Sequence, residues 1–431
     1  MTTLPPGPPR PYFKHAAGWV LRPGPYVRGL RERYGDTFTL HVERRRTWVV
    51  VSHPDDVKRV FTGDPDVLHA GEGNAVLKPL LGPNSVLLLD GPRHMAERKA
   101  MLPPFHGERM QAYGETIREI ARDEVASWPL GAVATRPRTQ ALTLEVIMSA
   151  VFGSRDERLR KGLAAMLDTL GNPAVLMFAV LAGPKLSHHA LHRGRLALDA
   201  LLSEEIARRR AAPDLHQRED ILSMLLAHTD MDDARLRDEL LTLLVAGHET
   251  TATALAWALE RLAHHPQAWE RLRSQDDDYL DAVCKETLRL RPVVPAVIRM
   301  LKQPFEVAGH ILPEGVAVVP NILLVHTRED VYPDPFAFRP ERFLEQPAGT
   351  YTWIPFGGGV RRCLGASFAL FEMKAVLGAV ADAVAELKPA SARAERPTRR
   401  AVTLVPNREG TIIVARRAAP APRAQPVPSG R

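Results

Sequence analysis

Residues 356–365 read FGGGVRRCLG, placing three consecutive glycines, two arginines and one of the chain's two cysteines within ten positions. The surroundings of Cys363 are those that stabilise an anion: fixed positive charge and a backbone that Gly357, Gly358, Gly359 and Gly365 leave uncluttered. The run that follows, ASFALFEMKAVLGAVADAVAEL, has helical character, so Cys363 lies near a helix N-terminus, where the dipole also favours negative charge. The pattern predicts a persistent thiolate.

Three uses compete for such a sulfur. A nucleophile needs a histidine base, and none of the sixteen histidines stands in a recognisable paired signature. A zinc site needs further cysteine or histidine ligands at close spacing, which are missing. A single thiolate can, however, be the whole protein contribution to a haem iron. The other cysteine, Cys284, shares a helical face with Leu280, Val283, Thr287 and Leu288 and reads as a core thiol.

The rest of the 431 residues are those of an ordinary globular chain, 45% hydrophobic and 25% charged. Two cysteines make no disulfide framework, which points to a reducing, cytoplasmic setting. The start, MTTLPPGPPRPYF, has no signal-peptide pattern, and the longest apolar run, PAVLMFAVLAG (173–183), is about half of a membrane span, so no membrane anchor is expected. Residues 391–431 carry nine arginines against two glutamates, which accounts for the whole net charge of +7. Without an aromatic-interleaved basic module, this is a solvated tail rather than a nucleic-acid surface. Its end, 418–431, is rich in proline and alanine and is expected to be disordered.

With no repeat and no linker, a single domain over 1–417 is expected. Strand pattern is concentrated in 36–62 and 296–320, where GDTFTLHVERRRTWVVVS reads as two strands about a charged turn at 43–46, and FEVAGHILPEGVAVVP as a further strand pair. The remainder is helical in period, giving a mainly α fold with a minor antiparallel β region. In the longest helical stretch, from Asp233 to His264, apolar period runs unbroken for about 45 Å at 1.5 Å per residue.

Midway along that helix stands AGHETT, Ala246 to Thr251. Gly247 costs about 1 kcal/mol relative to alanine, and Glu249 is expensive to bury unpaired. Threonines bonded back to the preceding turn and a solvent-reaching glutamate would be an ordinary explanation. A helix passing over a planar ligand would use the same residues: Gly247 for close approach, Thr250 as a donor, Glu249 as a proton relay. Farther on, Glu286 and Arg289 stand three residues apart in AVCKETLRLRP, a pair that is worth a few tenths of a kcal/mol when exposed. Arg342, in FRPERF, could complete a structural three-membered network with them.

This combination resembles the cytochrome P450 superfamily. The family's F-x-x-G-x-R-x-C-x-G loop is matched by Phe356, Gly359, Arg361, Cys363 and Gly365. Its E-x-x-R pair is matched by Glu286 and Arg289, its P-E-R-F segment by 340–343, and its A-G-x-[DE]-T-T by 246–251. The segment DGPRHMAERKAMLPPF resembles the family helix whose histidine and arginine, here His94 and Arg98, bind a haem propionate. RPVVPAVIRM resembles the strand whose arginine, here Arg299, does the same, with Arg361 as a further partner.

The resemblance covers about residues 4–417 and implies the cytochrome P450 fold, with haem b between the long central helix and the cysteine loop. Cys363 would be the axial ligand, Phe356 would cover the sulfur, and Gly357, Gly365, Ala246 and Gly247 would lie against the cofactor. Thr250 and Glu249 would serve oxygen and proton delivery. The implied activity is a monooxygenase that uses O2 and electrons from a separate ferredoxin or flavodoxin, acting as a monomer. The regions that resemble family pockets include Val76, Leu87, Leu176, Leu243, Val294, Val297 and Leu404, nearly all apolar. They imply a hydrophobic substrate of terpenoid, fatty acid, steroid or polyketide type. A haem-binding sensor without turnover and a cysteine hydrolase are the competing classes; the intact acid and alcohol argue against the first.

Overall fold

A computed structural model describes residues 4–9, 12–42, 46–105, 109–153, 156–171, 195–196, 198–274 and 276–416. The whole 173–183 run, with Leu176, part of the 43–46 turn and the 418–431 tail lie outside the described residues.

The valine-rich strand stretch forms as its pattern predicts. Strands β1 (Thr37–Leu40) and β2 (Trp48–Val51) pair antiparallel, Phe38 opposite Val50, and the helix Pro54–Phe61 follows. Three more short strands, β3 (Leu68–His69) and later β5 (Arg299–Leu301) and β8 (Ala317–Pro320), complete a five-stranded sheet in the order β1-β2-β8-β5-β3. All four β2 residues are buried because the strand is covered on both faces. Period two divides them: Val49 and Val51 pack with Leu301 and Val318 on one side, Trp48 and Val50 with Phe38 and Val319 on the other. The β2–β8 pairing is parallel, an exception to an otherwise antiparallel set.

The strand content extends beyond 36–62 and 296–320. The strand β4 (Gly131–Ala134) and the C-terminal β9 (Val384–Pro389) flank β12 (Thr411–Arg416), and β10 (Pro397–Arg400) forms a hairpin with β11 (Thr403–Pro406). The helix that follows the cysteine therefore ends at Ala383, and the last four residues of the expected run, VAEL, open the edge strand β9 instead. Of the expected second pair, Phe305–Val307 and His310–Leu312 form β6 and β7 about Ala308 and Gly309, both at positive φ.

The helices surround the larger core. We denote Gly91–Met101 α1, Arg109–Ala126 α2, Thr135–Phe152 α3, Asp233–Ala263 α4, Asp277–Leu290 α5 and Ala366–Ala383 α6. The central helix α4 has 31 residues and starts on Asp232, whose side chain accepts from the Arg235 N–H at 2.8 Å. Helix α3 packs along α4, and α2 along α6. Among the described residues no helix is long and apolar enough to cross a membrane.

Candidate active site

The cysteine loop is a tight structure that its glycines permit. Gly357 and Gly359 have φ of +68° and +65°, and a Cβ on Gly359 would stand 1.9 Å from the Phe61 carbonyl oxygen. The Cys363 N–H closes the loop onto the Phe356 carbonyl at 3.0 Å, and the Phe356 ring meets Trp353 edge-on at 5.9 Å. Gly365 precedes α6 directly, and nothing lies within 4 Å of where its side chain would be.

Cys363 lies deep in the fold, yet its surface is exposed, so it lines an internal space. Burial pushes its thiol above the ordinary range; the Gly365 N–H, Arg362 and Arg98 pull the other way without prevailing. With no metal at the sulfur, desolvation opposes the thiolate that the loop's charges favour, and a bound metal cation would tip the balance by deprotonating the coordinating thiol. Cys284, by contrast, is a fully buried core thiol raised by desolvation.

Four basic residues from three elements converge beside this loop: His94 and Arg98 of α1, Arg299 of β5 and Arg361 of the loop itself. His94 is held neutral, its pKa lowered to about 3 by burial and then by the charges of Arg361, Arg98 and Arg299. Arg299 and Arg361 are each lowered to about 10, chiefly by burial. The acid near Arg299 and Arg361 is Asp90, which accepts from Arg361 Nη2 at 2.5 Å and from the N–H groups of Gly71 and Glu72. Three guanidiniums against one carboxylate leave two positive charges uncompensated, which fits a ligand bearing two carboxylates. Arg361 also donates to the carbonyls of Val86 and Leu89, so it ties the loop to the segment before α1.

On α4, Ala246 is exposed in the middle of a helix otherwise largely buried, and Thr250 lies one turn along. The Thr250 hydroxyl donates to the Ala246 carbonyl at 2.6 Å. Gly247 faces the other way: a Cβ there would meet Ile147 of α3 at 3.0 Å, so its smallness serves the close approach of two helices. Glu249 is not left unpaired, because its two oxygens accept from Arg136 at 3.0 Å and Gln140 at 2.6 Å. Its neighbour His248 is buried against the Thr143 hydroxyl, with its pKa lowered to about 4 by desolvation and then Arg136.

Glu286 and Arg289 are fully buried, not an exposed pair. Arg289 Nε donates to Glu286 at 2.6 Å and Nη2 at 2.8 Å, and Arg342 Nε adds a third contact at 3.2 Å. The remaining Arg289 donors reach the carbonyls of His326, Pro335 and Ala337. His326 then accepts from the Ile354 N–H at 2.9 Å and binds the Arg289 carbonyl, which fixes the chain just before the cysteine loop.

Of the pocket residues, Leu87, Leu243, Val294 and Val297 are half-buried and Val76 is exposed, whereas Leu404 is 2% exposed in the core with its carbonyl on the Trp257 indole N–H. Asp90, Arg136, Gln140 and His326 escaped the sequence reading. Only the α3 pair had a signal there: Arg136, Thr139, Gln140 and Thr143 recur at three- and four-residue spacing on one helical face.

A family model described as Cytochrome P450 matches residues 5–382. The putative cytochrome P450 135B1 of Mycobacterium tuberculosis is 45% identical over 432 residues, covering 95% of this chain and 91% of that protein. The putative cytochrome P450 135A1 of the same species is 36% identical over 421 residues, covering 94% of each. Among solved structures, a cyanobacterial CYP120A1 with retinoic acid bound superposes with a TM-score of 0.83 at 25% identity, covering 96% of this chain and 100% of that one. CYP175A1 from Thermus thermophilus gives 0.74 at 28% identity, covering 93% and 98%. The thiol loop, the cluster of positive charge and the acid and alcohol of α4 thus stand in a chain that belongs to the cytochrome P450 family of haem-thiolate monooxygenases.

Proposed function

We propose that this monooxygenase uses haem b held by Cys363, His94, Arg98, Arg299 and Arg361 to oxygenate a hydrophobic small molecule of terpenoid, fatty acid, steroid or polyketide type. The carrying observation is that Cys363, deep yet exposed, stands beside two uncompensated positive charges, while Ala246 is exposed in the middle of an otherwise largely buried helix. These residues fit the group: a soft sulfur for iron and guanidiniums for two propionates. When bound, haem supplies dioxygen activation, one oxygen atom entering the substrate and the other leaving as water with two electrons and two protons.

The protein's part is to hold and protonate. Cys363 would hold the iron through Sγ, with the Gly365 N–H close to the sulfur and Phe356 shielding it, and the positive φ of Gly357 lets the loop turn there. Arg361 orients the loop against Asp90. The Thr250 hydroxyl must leave the Ala246 carbonyl to donate a hydrogen bond on the oxygen side, and Glu249 carries protons to it. Substitution of Thr250 by alanine is expected to lower the share of electrons recovered in product about tenfold, the worth of one hydrogen bond of ~1.4 kcal/mol. The measurement compares product with reduced cofactor consumed, and unchanged coupling would remove Thr250 from this role.

The retinoic acid of the cyanobacterial relative, a largely hydrocarbon polyene with one carboxyl group, is in line with an apolar pocket about Leu87, Leu243, Val294 and Val297. A panel of such compounds, scored by spin-state shift, selects the substrate class. Electrons come from a separate ferredoxin or flavodoxin that meets the exposed Arg362. The reduction rate should therefore fall several-fold between about 50 and 300 mM salt, and a rate insensitive to salt would exclude an acidic partner at this face. We further assign the activity to a monomeric, cytoplasmic, single-domain protein.

A further inference from the structure

The acid of the central helix is part of a longer ionic chain. Arg136, 3% exposed, gives Nη1 to Glu249 at 3.0 Å and turns Nε and Nη2 to the two oxygens of Glu409. Glu409 stands on the turn between β11 and β12, 43% exposed, while Glu249 is 21% exposed. One guanidinium thus joins an inner carboxylate to one at the surface.

The turn is built to hold that contact. Glu409 has a φ of +60°, a left-handed conformation that a glutamate keeps only where its surroundings over-determine it. Its carbonyl accepts from the Arg136 N–H at 2.9 Å, and the Thr135 hydroxyl donates to the Gly410 carbonyl at 2.9 Å. A single positive charge here serves two anions, so each is bound less firmly than it would be alone.

We propose that Glu409 is a positioning residue for proton delivery: by competing for Arg136 it keeps the Arg136–Glu249 pair loose enough for Glu249 to turn between solvent and Thr250. This rests on the reading of Glu249 as the proton carrier. In each cycle the Glu249 carboxylate takes a proton from water on the Arg136 side and gives it up on the Thr250 side, ending as it began. With Glu409 neutral, the full charge of Arg136 faces Glu249 and holds it in place.

The test uses haem-loaded full-length protein, plant-type ferredoxin and its reductase as electron donors, and the panel compound that gives the largest spin-state shift. Glu409→Gln is expected to lower kcat about five-fold with KM unchanged, and to raise the ratio of kcat in H2O to kcat in D2O by about half. Glu409→Asn, which suits a left-handed turn, should behave alike at wild-type melting temperature, so a folding defect cannot produce the effect. Because both residues act through Arg136, Glu249→Gln/Glu409→Gln should be no slower than Glu249→Gln alone. Wild-type kcat and isotope ratio in both Glu409 variants, with Glu249→Gln impaired, would overturn the proposal. If Glu249→Gln itself leaves kcat and isotope ratio unchanged, the reading of Glu249 fails and the proposal with it.

Discussion

Serine in place of Cys363 is expected to lower turnover by about 1,000-fold or more, ~4 kcal/mol of barrier, while the helical content of the chain stays the same. The loop geometry depends on Gly357, Gly359 and the Cys363 N–H to Phe356 carbonyl bond, none of which involves the sulfur. Serine keeps those contacts and removes the soft donor. Its hydroxyl ionises far less readily than a thiol, and burial already works against an anion at this position. Turnover with bound substrate, circular dichroism and haem content per chain measure the three parts of this expectation. A serine variant that turns over within tenfold of the wild type would show that Cys363 is not the metal ligand.

Glutamine at Glu286 is expected to cost about 3–5 kcal/mol of stability, since it leaves the Arg289 charge buried without a counter-ion. Both side chains are fully buried, so water cannot screen the loss. Arg342 loses its anion at the same time, and the Arg339 N–H its charged acceptor. The damage reaches the haem side because Arg289, through the His326 carbonyl and the His326 bridge to Ile354, sets the path of the chain into the cysteine loop. We expect a lower urea midpoint and faster haem loss together. Glu286→Gln/Arg289→Met, which removes both charges, should recover part of the stability, and equal damage in the single and double variants would mean that the buried charge is not the cause.

The parts of the fold legible in sequence were those in which one short segment carries its own signal. TLHVERRRTWVVV announces β1 and β2 by local pattern, and DARLRDELLTLLVAGHETTATALAWALERLA announces α4 by unbroken period. Pairings between distant segments carry no such mark. The parallel contact of β2 with β8, and β12 between β4 and β9, depend on tertiary approach, and VAEL continues a helical composition until that approach makes it part of a strand.

The site divides in the same way. Cys363, Thr250, Glu286 and Arg289 are carried by local motifs, and the structure buries Glu286 and Arg289 in a lock with Arg342. What spacing could not show is environment. The Cys363 thiol looks anionic from its neighbours and is raised by burial; the Glu286–Arg289 pair looks like surface and is core; Gly247 looks like room for a ligand and is room for Ile147. Arg136 and Glu409 stand 273 residues apart, and only the packing of α3 and the β11–β12 turn about α4 brings them to Glu249.

The most direct measurement is the absorption spectrum of the haem-loaded, dithionite-reduced protein under carbon monoxide. Thiolate ligation by Cys363 predicts a Soret band at about 450 nm in the wild type and its absence in Cys363→Ser. A band near 420 nm, or none, in folded wild-type protein containing one haem per chain would contradict the account.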